Sequence, residues 1–349
     1  MAATAAAWSA ERVLPRSPQV PAPPPQAVPA VRQPGLDAPQ LPHALLLAYD
    51  LPDASGSRVA TALGEVLGGW TGTTRTAAVT AVLGIGPGLP RRVPLHVPEA
   101  FGELPALPGD RLDPARSGAD VLLQLSGDDP EVLGATAELL DRQAGGLLAP
   151  RWRQAGHLPP TPAGETPRNL FAFKDGTANP GASGERWIWL PDGPHAGGTF
   201  LVYRRIAMRT GAFAGLSVEE QEAVIGRHRD DGRPLGGAQE HDEPDLGAKT
   251  ANGRYVIPAT AHVRAANPRL DGGARMLRRG YTYSDGPDDE GLLFCAYMTD
   301  PALFVRVQRR MAESDALTPF VEHRASAVLY VPPGAPAGAS LGESLFAAG

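Results

Sequence analysis

The sequence has one cysteine, Cys295, in a chain of 349 residues. Without a second cysteine, an intrachain disulfide and a thiolate-based metal cluster are both excluded. Cys295 lies within the apolar run 291–297. We therefore expect it to pack as a small hydrophobic residue and not to act as a nucleophile.

Long hydrophobic runs and an excess of basic residues are also missing. No segment approaches the roughly 20 apolar residues that cross a bilayer, so no membrane span is predicted. The net charge is −6 and the isoelectric point is near 5.8, which argues against a nucleic-acid partner. A chain of this length is long enough for one large or two medium domains.

Residues 1–32 are rich in alanine and proline and contain few large apolar side chains. Such a composition predicts a disordered segment. Its arginines are isolated and no apolar stretch follows them, so the segment matches neither a secretory nor a twin-arginine signal. The sequence as given predicts a cytoplasmic protein; the alternative is export, if a native leader is missing from this chain.

The order of elements is similar in the two halves of the chain. Apolar and β-branched runs predict strands at 43–50, 78–85, 120–125, 199–208, 255–257, 292–297 and 325–331. Helical spacing predicts helices at 57–67, 129–143 and 301–311, and a capping box at Ser217–Glu220 opens another toward Arg227. This βαββαβ order predicts two ferredoxin-like α+β modules, at 33–160 and 161–349, with 144–168 as a connector.

One acidic residue follows a conspicuous apolar segment. The run 169–173 leads into Lys174, Asp175 and Gly176. A carboxylate placed at the end of such a run is half-shielded from water and suits acid/base chemistry. From this segment alone, a simple Asp-Gly turn or a helix N-cap is the better explanation.

Two further segments carry residues of interest. His262 follows the apolar and β-branched run 255–260, and Arg278 and Arg279 lie between apolar residues in the run 276–283. A lone histidine is ordinarily a surface or core residue. The acidic stretch 239–245 could in principle hold a hard cation, but adjacent ligands point apart, so we interpret it as a solvated loop.

Taken together and in this order, these segments resemble the dye-decolourising peroxidases, most closely the branch called deferrochelatase/peroxidase. The resemblance runs from about Gln33 to the end of the chain and includes 118–125, 128–132 and 291–297. It implies the ferredoxin-like fold of the dimeric α+β barrel-like superfamily and one haem b per chain. Relatives in this branch commonly carry a twin-arginine signal. One departure is Ala172, where the family usually has glycine, and the sequence leaves open whether its methyl group shifts the turn or the access channel.

The resemblance also implies roles for individual residues. His262 would bind the haem iron, with Asp315 accepting its other N–H group. Asp175 would shuttle a proton and Arg278 would stabilise charge on the distal face. The remaining positions implied to contact haem are Arg227 at a propionate and Gly176, Thr177, Ala178, Asn267, Pro268, Arg269 and Phe294 around the macrocycle.

The implied function is a peroxidase that uses hydrogen peroxide to oxidise dyes or other small-molecule one-electron donors through a high-valent iron-oxo intermediate. A homo-oligomer is consistent with the superfamily. Candidates for carrying electrons to a buried haem are Trp187, Trp189, Tyr281 and Tyr283. The alternative is a haem-handling protein, with haem binding or deferrochelatase-like iron release and little turnover. A distal pair of Asp175 and Arg278 favours the peroxidase, because storage requires no acid/base group.

Overall fold

The computed structural model describes residues 31–52 and 54–346. The segment 1–32, predicted to be disordered, lies outside the described residues except for its last two. Those two are held in place: the Val31 carbonyl accepts a hydrogen bond from Gly334, and Arg32 forms an ion pair of 2.6 Å with Glu185. For these two residues the prediction of disorder is wrong.

Within the described ranges the chain forms nine strands and seven α-helices. The strands are β1 His43–Asp50, β2 Thr80–Ile85, β3 Val121–Gly127, β4 Ala149–His157, β5 Thr199–Met208, β6 Leu277–Arg278, β7 Tyr281–Gly286, β8 Asp289–Met298 and β9 Val321–Val331. The helices are α1 Pro34–Asp37, α2 Ser57–Thr76, α3 Pro130–Gln143, α4 Thr210–Ala214, α5 Val218–Ile225, α6 His262–Ala265 and α7 Ala302–Ser314. No helix in this part of the chain is long and apolar enough to cross a membrane.

All strands pair antiparallel in one sheet of order β5-β9-β2-β3-β1-β4-β7-β8-β6. The strands β4-β1-β3-β2 and β9-β5-β8-β7 each have the arrangement of a ferredoxin-like βαββαβ unit, which confirms the predicted fold class. The two units meet at single residue pairs, Ile85 with Tyr330 and His157 with Thr282. Pairing of β5 with β8 closes the sheet into a barrel-like arrangement.

Separate apolar cores cover the two faces of the sheet. Helices α2 and α3 pack on the first unit around Trp70, Leu83 and Leu123, and α7 packs on the second unit around Val202. The interior is lined by aromatic and aliphatic residues and includes Cys295, which is fully buried. Burial raises the pKa of the Cys295 thiol to about 12, as expected for an inert packing residue.

Three predictions about local elements need correction. The predicted connector contains β4, in which Trp152, Gln154 and Gly156 face inward while the residues between them are exposed. Exposed and inward-facing residues alternate in β4, so the strand contains no apolar run that would predict it. The predicted strand 255–257 is irregular and has only one isolated bridge, because Pro258 has no N–H group and ends the extended run. Helix α2 continues beyond 67 to Thr76, through three glycines at its exposed side.

Candidate active site

His262 is the first residue of the short helix α6, at a point where α5 comes very close. Helix α5 is capped by Gly226, whose φ of +92° is a left-handed conformation. A Cβ atom at Gly226 would lie 2.4 Å from the Val263 side chain and 3.2 Å from Ala261. Only glycine permits this approach, which places Arg227 beside the segment that carries His262.

Asp315 holds the His262 imidazole. Its Oδ2 atom accepts a hydrogen bond of 2.7 Å from Nδ1, and its Oδ1 atom accepts one from the Leu317 amide. The carboxylate side chain is fully buried, whereas 26% of the His262 side-chain surface remains open. Burial lowers the pKa of His262, but the charge and the hydrogen bond of Asp315 outweigh that effect, so the net pKa lies above its usual value.

This pairing fixes which nitrogen is available as a ligand. A carboxylate accepts, so in the neutral imidazole Nδ1 carries the proton and Nε2 has the lone pair. Nε2 has no hydrogen-bond partner among residues 31–52 and 54–346. The turn after α7 is also bonded to the His262 segment, since the Ala316 amide donates to the Thr260 carbonyl. The imidazole therefore has one nitrogen held by Asp315 and one without a partner in the part of the chain that the structure describes.

The loop that carries Asp175 is anchored by the aromatic run before it. Phe171 and Phe173 are buried and pack on Phe213, with ring centroids 4.3 and 6.2 Å away. The Asn169 side chain accepts hydrogen bonds from the amides of both phenylalanines. Ala172 adopts a φ of +67°, so the turn has the left-handed conformation that glycine adopts readily.

Arg278 faces Asp175 from strand β6. Its guanidinium lies 3.8 Å from the Asp175 carboxylate, and both side chains are about one-third exposed. Asn179, which the sequence analysis did not single out, connects the two. Its carboxamide accepts a hydrogen bond from the Arg278 amide and donates one to the Arg278 carbonyl, at 3.0 and 2.8 Å. The charge of Arg278 lowers the pKa of His262 and that of Asp175 raises it, both by less than Asp315 does.

Arg227 is a buried cation. Its Nη1 atom donates to the carbonyl oxygens of Gly232 and Glu240, and it forms no ion pair with any residue that the structure describes. Burial lowers the pKa of Arg227, and the nearby Arg278 lowers it further, while Glu240 opposes the shift. A buried guanidinium without an ion pair is costly, so an anionic group that bound beside Arg227 would be stabilised.

The remaining predicted contact residues fall into two groups. Gly176, Thr177 and Ala178 continue the Asp175 loop, and Asn267 and Pro268 form the turn after α6, where the Asn267 side chain caps the backbone. Phe294 lies on β8, half-buried against Phe304. Arg269 differs: its side chain is 61% exposed and pairs with Glu243 at the surface. The Arg269 guanidinium is therefore held in a surface ion pair.

The four aromatic residues considered for electron transfer have different surroundings. Tyr281, Tyr283 and Trp189 are buried in the interior core. The Tyr283 hydroxyl has no hydrogen-bond partner among the described residues. Trp187 alone is partly exposed, with the Arg186 guanidinium over its ring at 5.0 Å.

These groups fit a haem. The open His262 Nε2, with Asp315 on the opposite nitrogen, is the arrangement of an iron-ligating histidine. Arg227 offers a buried cation to a propionate carboxylate. Asp175 and Arg278 provide an acid/base group with a cation 3.8 Å from it.

Comparison with known proteins gives consistent matches. The family models for the N-terminal and C-terminal domains of Dyp-type peroxidases match residues 33–158 and 166–336. A dye-decolorizing peroxidase of Thermobifida fusca is 42% identical over 269 residues, which cover 71% of this chain and 62% of that protein. A deferrochelatase of Yersinia pseudotuberculosis is 36% identical over 263 residues, which cover 69% of this chain and 60% of that protein.

The aligned region thus spans about three-fifths of the length of these curated relatives. Among solved structures, a DyP-type peroxidase of Streptomyces coelicolor has a TM-score of 0.85 at 34% identity, covering 91% of this chain and 96% of that one. A DyP-type peroxidase of Cellulomonas bogoriensis has a TM-score of 0.84 at 35% identity, with coverage of 91% and 97%. The present chain belongs to the DyP-type peroxidase family.

Proposed function

We propose that the C-terminal module, residues 161–349, binds one haem b through His262, and that the protein uses hydrogen peroxide to oxidise dyes or other one-electron donors. The observation that carries this proposal is the imidazole with Nδ1 held by Asp315 and with no partner for Nε2 among the described residues, together with the pair formed by Asp175 and Arg278. Bound haem supplies an iron that takes up peroxide and its two oxidising equivalents. The protein groups supply binding, orientation and proton transfer.

Asp175 moves the proton in this scheme. Hydrogen peroxide must lose a proton from one oxygen and gain one on the other, which then leaves as water. As an ionised carboxylate, Asp175 accepts the first proton and returns it to the departing oxygen. Arg278, 3.8 Å from that carboxylate, stabilises the negative charge that builds on the departing oxygen. Asn179 keeps Arg278 in place through its backbone.

Asp315 and Arg227 contribute to haem binding in this scheme. The hydrogen bond from His262 to Asp315 makes the imidazole a stronger donor and fixes its orientation. Arg227 binds a propionate through its planar guanidinium. Thr177, Asn267 and Phe294 complete the contacts in this proposal, together with Gly176, Ala178 and Pro268. Arg269 contributes at most its backbone, because its side chain is paired with Glu243.

Large reductants deliver electrons at the surface in this scheme, and Trp187 is the proposed entry point. It is the partly exposed member of the four aromatic candidates.

Rapid mixing tests the activity. Ferric protein mixed with stoichiometric peroxide should lose its Soret band in wild type, and about a hundredfold more slowly in Asp175→Asn or Arg278→Ala. Haem content should stay near one per chain in both variants. A variant rate within twofold of wild type would remove that residue from peroxide activation.

The second candidate function is iron release, favoured by the relative named a deferrochelatase. It shares His262 with the peroxidase but needs no distal acid/base pair. Porphyrin fluorescence that appears without peroxide, at the same rate in wild type and Asp175→Asn, would support iron release. Its absence, together with rapid peroxide reaction, supports the peroxidase.

A further inference from the structure

Glu240 differs from its neighbours in the acidic stretch 239–245. Asp242 and Asp245 accept hydrogen bonds from backbone amides of their own loop. The Glu240 side chain is only 16% exposed and accepts three hydrogen bonds from distant residues. Its donors are Lys174 Nζ at 2.6 Å, Thr166 Oγ1 at 2.5 Å and Thr177 Oγ1 at 3.1 Å. The interpretation of this stretch as a solvated loop is wrong for Glu240.

The three donors surround Asp175. Lys174 precedes it directly, and Thr177 follows two residues later. Thr166 adjoins Pro167, whose carbonyl oxygen accepts the Asp175 amide hydrogen bond at 2.8 Å. One partly buried carboxylate therefore holds the residues before and after Asp175 and the segment that bonds the Asp175 amide.

The surroundings of Lys174 suit a lysine that bonds Glu240. The chain has only two lysines, Lys174 and Lys249, among 32 basic residues. The stem of Lys174 lies against Gly232, where an added Cβ atom would come within 2.8 Å of the lysine Cδ atom. Gly232 has a φ of +79°, so a larger residue there would be both strained and crowded. The packing leaves room for the slender lysine stem and a terminal ammonium at Glu240.

The backbone of Glu240 is fixed as well. Its carbonyl oxygen accepts a hydrogen bond of 2.8 Å from Arg227, and the same nitrogen donates to Gly232 at 2.7 Å. Burial raises the pKa of the Glu240 carboxyl, but Lys174 and the two threonine hydroxyls outweigh that effect and leave the pKa below its usual value. Glu240 is thus an ionised group joined at one end to the proposed propionate ligand and at the other to the acid loop.

We propose that Glu240 is a positioning residue that holds Asp175 at the distance and orientation needed for proton transfer, through its bonds to Lys174, Thr166 and Thr177. The role in catalysis rests on the proposed peroxidase function. In Glu240→Gln one oxygen becomes an NH₂ group, which cannot accept from Lys174 or from the threonines. The loop would then lose part of its anchor, while Asp175 itself stays intact.

Hydrogen exchange tests the anchor independently of activity. Full-length protein as purified should show at least about tenfold faster exchange across residues 166–180 in Glu240→Gln than in wild type. Asp245→Asn is the matched control, because it removes the same charge from the same stretch but contacts only its own loop. It should leave residues 166–180 unchanged. Unchanged exchange in Glu240→Gln would overturn the proposal.

A double-mutant cycle tests the catalytic part. Glu240→Gln should slow the peroxide reaction by about tenfold in the wild-type background. In the Asp175→Asn background it should slow the reaction by less than about twofold, because both changes act on one proton transfer. Lys174→Gln should reproduce this pattern. An equal slowing in both backgrounds would mean that Glu240 acts on general stability and would overturn the proposal. If Asp175→Asn alone has no effect, the proposed role of Asp175 fails, and the exchange result still decides whether Glu240 holds the loop.

Discussion

Ala172→Gly tests whether the loop of the candidate acid is strained. Ala172 has a φ of +67°, and its methyl group is exposed, so removing that group sacrifices no packing. A left-handed conformation costs an L-residue about 1–2 kcal/mol. Glycine gives the unfolded chain more conformational entropy, and losing it on folding costs about 0.5–1 kcal/mol. The difference predicts that the variant is more stable by about 0.5–1 kcal/mol.

The hydrogen bonds of Ala172 should survive the change, because both involve its backbone. Its amide donates to the Asn169 carbonyl at 2.9 Å, and its carbonyl oxygen accepts from Arg168 at 2.8 Å. The turn therefore stays as it is, and the rate of peroxide reaction should remain within about twofold of wild type. A larger change in rate would show that the methyl group shapes the acid loop.

Urea denaturation at constant temperature is the suitable assay, since the thermal shift for a chain of this size is only about 1–2 °C. Ala78→Gly is a positive control, because Ala78 is exposed and has a φ of +54°. Ala106→Gly is a negative control, because Ala106 is exposed without a positive φ, and it should lose about 0.5–1 kcal/mol. A gain for Ala78→Gly but none for Ala172→Gly would refute the reasoning.

Three further outcomes are expected. Asp315→Asn should weaken haem binding by about 10–100-fold, measured by haem transfer to apomyoglobin, because the imidazole loses its ionised partner; unchanged transfer would contradict this. Trp187→Phe should slow oxidation of bulky dyes while leaving the peroxide reaction unchanged, and equal loss of both would contradict a surface entry point. Burial, with the charge of Arg204, lowers the pKa of His323 to about 3, so the folded protein keeps this histidine neutral while the unfolded chain protonates it near pH 6.5. The contribution of neutral His323 to the free energy of unfolding is complete above pH 6.5. It is lost as the pH falls toward 3, by at most about 1.4 kcal/mol per pH unit. In urea titrations His323→Gln should flatten this dependence on pH, and the same slope in the variant and in wild type would contradict the assignment.

The fold was largely predictable because most of its elements carry local signals. Strand β1 and the capped helix α5 have an apolar run or a capping box within a few residues. Strand β4 was missed because its inward Gln154 is stabilised by distant polar groups, Arg205 and Asp285. No local pattern can reveal a partner 51 or 131 residues away.

The same limit applies to the site. His262 and Asp315, 53 residues apart, were paired only through the family resemblance, and the structure places them 2.7 Å apart. Glu240 was interpreted as one solvated acid among several, because its donors lie 63 to 74 residues earlier in the chain. The scarcity of lysine was the signal that could have drawn attention to Lys174 and so to its partner.

The central claim is that His262 binds the haem iron through Nε2. Resonance Raman spectroscopy of the ferrous protein measures the iron–histidine stretch directly. The account predicts that this band is present in wild type and in the control His241→Gly, disappears in His262→Gly, and returns when imidazole is added to that variant. A band that persists unchanged in His262→Gly would contradict the claim.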